Sequence, residues 1–130
     1  MIKDTMKQHG IFSWNELMTT DIDAAKLFYR EALGWDLEDI KGGNGPYTLA
    51  KTGDKEVAGM MSMPTGAKNM APCWNTYVTV DNVEERTKRV MALGGKIYVE
   101  PKDIPNIGRF AVVADPQGAM LAMITYFNQE

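Results

Sequence analysis

The sequence predicts a single α+β domain, residues 1–130, built from two tandem βαβββ modules, and three observations carry that prediction. The first is the stretch from Trp14 to Trp35, WNELMTTDIDAAKLFYREALGW, which reads as a strand, a capped helix and the start of a second strand. The second is an internal repeat. Sliding the chain along itself by about 61 positions lays Leu17 on Val78, Thr19 on Val80, Ile22 on Val83, Tyr29 on Val90 and Gly34 on Gly95. Without a gap, the same offset then lays Leu49 on Phe110, Asp54 on Asp115 and Ala58 on Ala119. Two long copies are not a solenoid; they mark a duplicated supersecondary unit. The third observation is size, since 130 residues fit one domain that buries roughly two thirds of its unfolded surface. The chain divides into a leader (1–10), a first module (11–63), a linker (64–72) and a second module (73–127).

The elements follow in order. The leader carries no assigned structure. Phe12 to Thr19 is a strand in which Trp14, Glu16 and Met18 share one face and Leu17 and Thr19 the other, because side chains alternate along a strand. Asp21 is the expected N-cap of a helix, with Asp23 in the first turn where the helix dipole favours an anion. Ile22, Ala25, Tyr29, Ala32 and Leu33 recur at helical spacing as its buried stripe. Gly34 supplies the left-handed residue that ends it. Trp35 to Ile40, Tyr47 to Lys51 and Val57 to Met63 read as three strands, separated by the turn cluster KGGNGP and by Gly53 and Asp54. The linker PTGAKNMAP has a proline near each end, which interrupts strand pairing.

Trp74 to Val80 opens the second module. Asp81 is the expected cap of the second helix, with Glu84 completing a capping box, and Val83, Val90 and Leu93 form its buried stripe. Gly94 and Gly95 stop the helix. Lys96 to Glu100 is a strand, PKDIPNIG a loop, Arg109 to Ala114 a strand, DPQG a tight turn and Ala119 to Phe127 the last strand.

Composition narrows the function classes. With 45% hydrophobic and 24% charged residues and a formal charge of -3, nothing electrostatic points to nucleic acid. The basic run Arg86, Lys88, Arg89 reads as a solvated helix face. Cys73 is the one cysteine, so no internal disulfide forms, and MIKDTMKQHG lacks the apolar core of a signal peptide; the expectation is a cytoplasmic protein. No apolar run approaches the ~20 residues of a membrane-spanning helix, so no membrane partner is expected. His9 is the one histidine, and it stands in the polar leader.

The duplicated layout, W-x-E-L near the start, FY in the first helix, GW after it and GRFAVVADPQGA before the last strand together resemble the vicinal oxygen chelate superfamily. That group contains glyoxalase I, extradiol dioxygenases, methylmalonyl-CoA epimerase and bleomycin resistance proteins, and the chain is most similar to its glyoxalase-like or bleomycin-resistance-like branch. The resemblance implies one curved mixed sheet around a central cleft, with helices outside, and a homodimer. In metal-dependent members four His or Glu side chains meet in the cleft. Carried over, those slots fall on Trp14, on Gly59 or Met61, on Asn75 and on Ala122, with the repeat offset favouring Met61. An indole, a thioether, an amide and a methyl group are not donors for a hard divalent ion. No cofactor is therefore expected, and a metal would need an unusual ligand set.

Glu16 is the acid that alternation places beside Trp14 on the expected cleft face. It reads either as a general base or ligand acceptor, or as a buried structural hydrogen bond or ion pair. Arg109, from the corresponding region of the second module, reads either as its partner or as an anchor for the loop before it. Trp14, Met18, Met61, Met63, Tyr77 and Met120, with Asn75, Thr79 and Ile124, are expected to line an apolar cleft for a small organic ligand. The leading expectation is a binding protein that sequesters or senses such a molecule. The alternatives are an isomerase, lyase or dioxygenase-like enzyme using Glu16 or an unusual metal site, and an interaction subunit whose cleft is filled by its own side chains.

Overall fold

The computed structural model describes residues 3–42, 45–63 and 71–128. Among the described residues, eight strands and two α-helices follow in the order β1 (Phe12–Thr19), α1 (Ile22–Leu33), β2 (Asp36–Gly42), β3 (Gly45–Thr52), β4 (Lys55–Ser62), β5 (Cys73–Thr79), α2 (Val83–Ala92), β6 (Lys96–Ile104), β7 (Gly108–Ala114) and β8 (Met120–Tyr126). The βαβββ order is thus present twice. The strands form one curved mixed sheet in the order β2-β3-β4-β1-β5-β8-β7-β6. Within each module the first and last strands run parallel, β1 with β4 and β5 with β8, and the modules meet where β1 and β5 pair antiparallel. The helices lie outside, α1 against β2 and β4, α2 against β6, β7 and β8.

Strand alternation builds the core in two layers. On β7, Phe110 and Val112 join Met18, Tyr77, Val99, Ala122 and Ile124 on the concave side. Their neighbours Ala111 and Val113 pack with Val80, Val83 and Met123 under α2. A strand buried on both faces needs apolar residues at every position, which is why β7 reads FAVVA without polar alternation.

Helix α1 starts as expected, with the Asp21 carboxylate accepting from the Ala24 N–H at 3.1 Å, and ends at Gly34 in the left-handed conformation (φ 72°). Its burial differs from the expected stripe. Ile22, Ala25 and Tyr29 are half-covered, Ala32 and Leu33 are exposed, and no residue of the helix is fully buried. Leu93, expected in the stripe of α2, is likewise exposed because it lies past the last helical turn, as the C-cap. The cap of α2 is Asn82, whose side chain accepts from Glu85 N–H at 3.1 Å, and not Asp81. Asp81 turns outward to a bidentate pair with Arg86 at 2.9 and 3.0 Å, which holds its carboxyl below the usual range.

Two further boundaries shift. The expected loop PKDIPNIG is strand as far as Ile104, because Pro101 falls on β6, a sheet edge where its missing N–H costs no ladder bond. The leader contains a short 3-10 turn, Asp4–Lys7, and is tied to the sheet: the Gly10 N–H donates to the Thr79 carbonyl and the Thr79 N–H to that of Ile11. Most of the expected linker, residues 64–70, and part of the KGGNGP turn lie outside the described residues. No helix of the described residues is long and apolar enough to cross a membrane.

The repeat is not gap-free in three dimensions. Glu16 and Tyr77 are counterparts, and the parallel ladders set Gly59 beside Glu16 but Ala122 beside Tyr77. Gly59, rather than Met61, is therefore the counterpart of Ala122. The second module carries two extra residues, absorbed by register breaks in β6 between Ile97 and Val99 and between Val99 and Lys102.

Candidate functional site

A cavity of about 360 Å³ opens on the concave face, and its walls come from both modules. From the first module come Trp14 and Glu16 on β1, Ile40 and Lys41 on β2, Tyr47 on β3 and Met61 on β4. The second contributes Tyr77, Phe110, Ile124 and Tyr126, with Ile104 and Ile107 around the β6–β7 turn. Met6 of the leader closes one side. The cleft is thus not filled by its own side chains, contrary to the interaction-subunit alternative.

Glu16 is the centre of this wall. It is 5% exposed, and each carboxylate oxygen accepts from a phenol: Oε2 from Tyr47 at 2.6 Å and Oε1 from Tyr77 at 2.6 Å. Tyr47 in turn accepts from the Trp14 indole N–H at 2.8 Å. Burial pushes the Glu16 carboxyl above its ordinary value, and the two phenol bonds pull it back part of the way. Burial next to that carboxylate also drives both tyrosines up, so they remain hydrogen-bond donors at any ordinary pH. At the edge, the hydroxyls of Tyr126 and Ser13 bond at 2.9 Å.

The local sequence explains the geometry. Antiparallel pairing sets Trp14 opposite Tyr77 and Glu16 opposite Asn75, so the two modules present their polar groups side by side. Tyr47 reaches Glu16 across β4 only because position 59 is glycine. A Cβ there would lie 1.6 Å from the Tyr47 hydroxyl oxygen and 2.1 Å from Cζ, so the ring occupies the space a side chain would take.

The expected site residues do not all reach the cavity. Trp14, Glu16, Met61, Tyr77 and Ile124 line it, and Met63 packs, half-buried, against the core. Met18 and Ala122 are fully buried in the core beneath it, with Tyr77 and Phe110. Thr79 is buried and donates its hydroxyl to the Met6 carbonyl. Asn75 is buried, donating weakly to the sulfurs of Met18 at 3.7 Å and Cys73 at 3.8 Å. Its carbonyl Oδ1 has no partner among the described residues. Met120 lines a second depression, with Trp35, Val57, Trp74 and Thr76.

Arg109 is not the partner of Glu16. Alternation on β7 points Phe110 into the cleft and Arg109 to the other side, where it pairs with Glu84 of α2 and, at 2.9 Å, with Asp103.

Tyr47, Phe110 and Tyr126 escape the sequence reading, and Gly59 enters it only as one of two positions for a metal-ligand slot. The one signal that pointed to them is Gly59 itself, since a glycine inside a strand marks the close approach of another group. Among the described residues no group of three or more His, Cys, Asp or Glu side chains could hold a metal ion. Among the described residues that line the cleft, Glu16 alone is a carboxylate, and this set does not fit a divalent centre of the usual kind.

Comparisons with known proteins agree with this architecture. A family model described as the Glyoxalase/Bleomycin resistance protein/Dioxygenase superfamily matches residues 11–123. The chain is 37% identical over 126 residues to "Putative glyoxylase CFP32" of Mycobacterium bovis, covering 95% of this chain and 48% of that protein. It is 32% identical over 127 residues to the anthracycline biosynthesis protein DnrV of Streptomyces peucetius, covering 88% and 46%. The chain thus spans about half the length of the curated relatives it matches. Its fold is similar to the crystal structure of a glyoxalase/bleomycin resistance protein/dioxygenase superfamily member from Vibrio splendidus, with a TM-score of 0.53, 17% identity and coverage of 85% and 95%.

Proposed function

The chain belongs to the glyoxalase/bleomycin resistance protein/dioxygenase superfamily, and we propose that within it this protein binds a small, partly apolar organic molecule in the cleft between its modules, to sequester or sense it. One observation carries the reading: a cavity of about 360 Å³, walled mainly by apolar and aromatic side chains, with a fixed polar group at its inner end. Ligand sites are built this way, apolar for affinity and polar at a few points for orientation. The donor set supports a cleft that works without a metal, because one carboxylate and three phenols offer no polydentate site for a divalent ion.

Titration of small aryl compounds against Trp14 fluorescence, with Trp35→Phe and Trp74→Phe to isolate its signal, tests the reading. Saturable quenching that Tyr77→Leu weakens is the expected result. If no member of a broad aryl panel binds at millimolar concentration, the binding reading is wrong.

A second reading is favoured by the raised carboxyl of Glu16. A buried base whose proton affinity is increased suits an isomerase or lyase acting on an acidic carbon–hydrogen bond. Glu16→Gln separates the two: a binding cleft keeps much of its affinity, whereas a proton-transfer enzyme loses turnover.

Pairing of two copies is also part of the proposal. Helix α1 carries no fully buried residue, and Leu27, Phe28, Leu33 and Trp74 leave apolar surface on the outer side. Sedimentation of the full chain should give twice the monomer mass, and a monomer at micromolar concentration would refute it.

A further inference from the structure

The inner end of the cavity has a one-sided hydrogen-bonding character. A carboxylate accepts at about four lone-pair positions, and the two phenols of Tyr47 and Tyr77 take one on each oxygen of Glu16. The Tyr47 hydroxyl is itself committed, donating to Glu16 and accepting from Trp14. What this end offers an incoming molecule is therefore acceptor capacity. The ion pairs of the described residues join Lys7, Lys26, Lys51, Arg86, Lys88 and Arg109 to other carboxylates, and His9 to Asp81; none includes Glu16. The bonds that hold Glu16 come from neutral donors. Lys41 lines the cavity from an exposed position on β2.

Around this carboxylate stand aromatic side chains: Trp14, Tyr47, Tyr77, Phe110 and Tyr126 all line the same cavity. Aromatic faces attract cations through their quadrupoles, most strongly where water is excluded. A buried carboxylate without a cationic partner is costly, and a charge-assisted bond to a ligand recovers part of that cost. At the Glu16 end a carbonyl or carboxylate ligand would meet a carboxylate whose phenol donors are already committed, while the cations near the cavity wall stand elsewhere, Lys41 on β2 and Lys102 at 6.0 Å from the centre of the Phe110 ring.

We propose that the cleft selects an organic amine: a ligand whose ammonium end seats against Glu16 inside the aromatic wall, with its apolar remainder against Met61, Ile104, Ile107 and Ile124. The inference deepens the proposed binding function and rests on the cleft being a ligand site. It adds the charge and orientation of the ligand.

Three probes of one shape test it by calorimetry on the full chain: 3-phenylpropylamine, 3-phenylpropanol and 3-phenylpropionate. The ammonium should bind about tenfold or more tighter than the alcohol, the difference one charge-assisted contact supplies, with the propionate weakest. Glu16→Gln should bring the ammonium and the alcohol to within about twofold of each other. The ranking on the unaltered protein needs no variant, so the test stands even if Glu16→Gln fails to fold. Equal binding of alcohol and ammonium, or tighter binding of the propionate, overturns the amine inference and leaves the binding cleft standing. Binding of none of the three refutes this inference, and the broader aryl panel then decides whether the cleft reading falls with it.

Discussion

Replacing Gly59 with alanine is the sharpest perturbation the structure offers, because its effect depends on one neighbour. The added Cβ would stand 1.6, 2.1 and 2.5 Å from Oη, Cζ and Cε2 of Tyr47. No real carbon tolerates such distances, so the ring must leave. Its departure removes the bond to Glu16, a hydrogen bond to a buried charged group worth about 1.5–3 kcal/mol. The bond from Trp14 goes too, but Trp14 is only half-buried and lines the cavity, where water can replace Tyr47. Against this loss, alanine in a strand interior gains roughly 0.5–1 kcal/mol over glycine. The net expectation is a destabilisation of about 1–2 kcal/mol. In a Tyr47→Ala background the obstacle is gone and the same substitution should be neutral or stabilising, by up to about 1 kcal/mol. Urea unfolding followed by far-UV circular dichroism on the four proteins of this cycle gives a coupling energy of roughly 1.5–3 kcal/mol if the reasoning holds. Equal losses in both backgrounds would refute it, because the cost would then come from the β4 backbone and not from the phenol.

The raised carboxyl of Glu16 has a definite pH sign: its contribution to stability is greatest below its unfolded-state value and is lost as pH rises through the higher folded-state value. Glu16→Gln should therefore flatten the decline of thermal stability above about pH 5 relative to the unaltered protein, and parallel profiles would show that Glu16 is not shifted. Asn82→Ala should cost about 1 kcal/mol through loss of the α2 cap, whereas Asp81→Ala should leave that cap in place; thermal melts that rank the two in reverse would restore Asp81 as the cap. Arg109→Ala should leave probe affinity in the cleft within about twofold, since its partners Glu84 and Asp103 lie away from the cavity, and a larger loss by calorimetry would return Arg109 to the site.

Glu16, Trp14 and Tyr77 were found from alternation along two short strands, because a period of two fixes the face once the register of one residue is known. The duplication and the ends of α1 were found for similar reasons: Asp21 and Gly34 act on their own turn of helix, and neighbours in sequence decide them. Met18 and Ala122 were placed on the correct face and still missed the cavity, since alternation gives direction but not depth. Arg109 was placed by analogy between modules, and one step of alternation from Phe110 sends it to the opposite side.

The sequence by itself determined the βαβββ order, its repetition, the family and the face on which Glu16 lies. These depend on local periodicity and capping, which act over a few residues. Only the tertiary structure decided that Glu16 is clamped by Tyr47 and Tyr77, that Gly59 makes room for the clamp, and that the modules are displaced by two residues beyond β6. Tyr47 and Glu16 are 31 positions apart and Tyr77 and Glu16 are 61 apart. Contacts at such separations are set by how strands pair and how far side chains reach across them. No pattern within one segment contains that information.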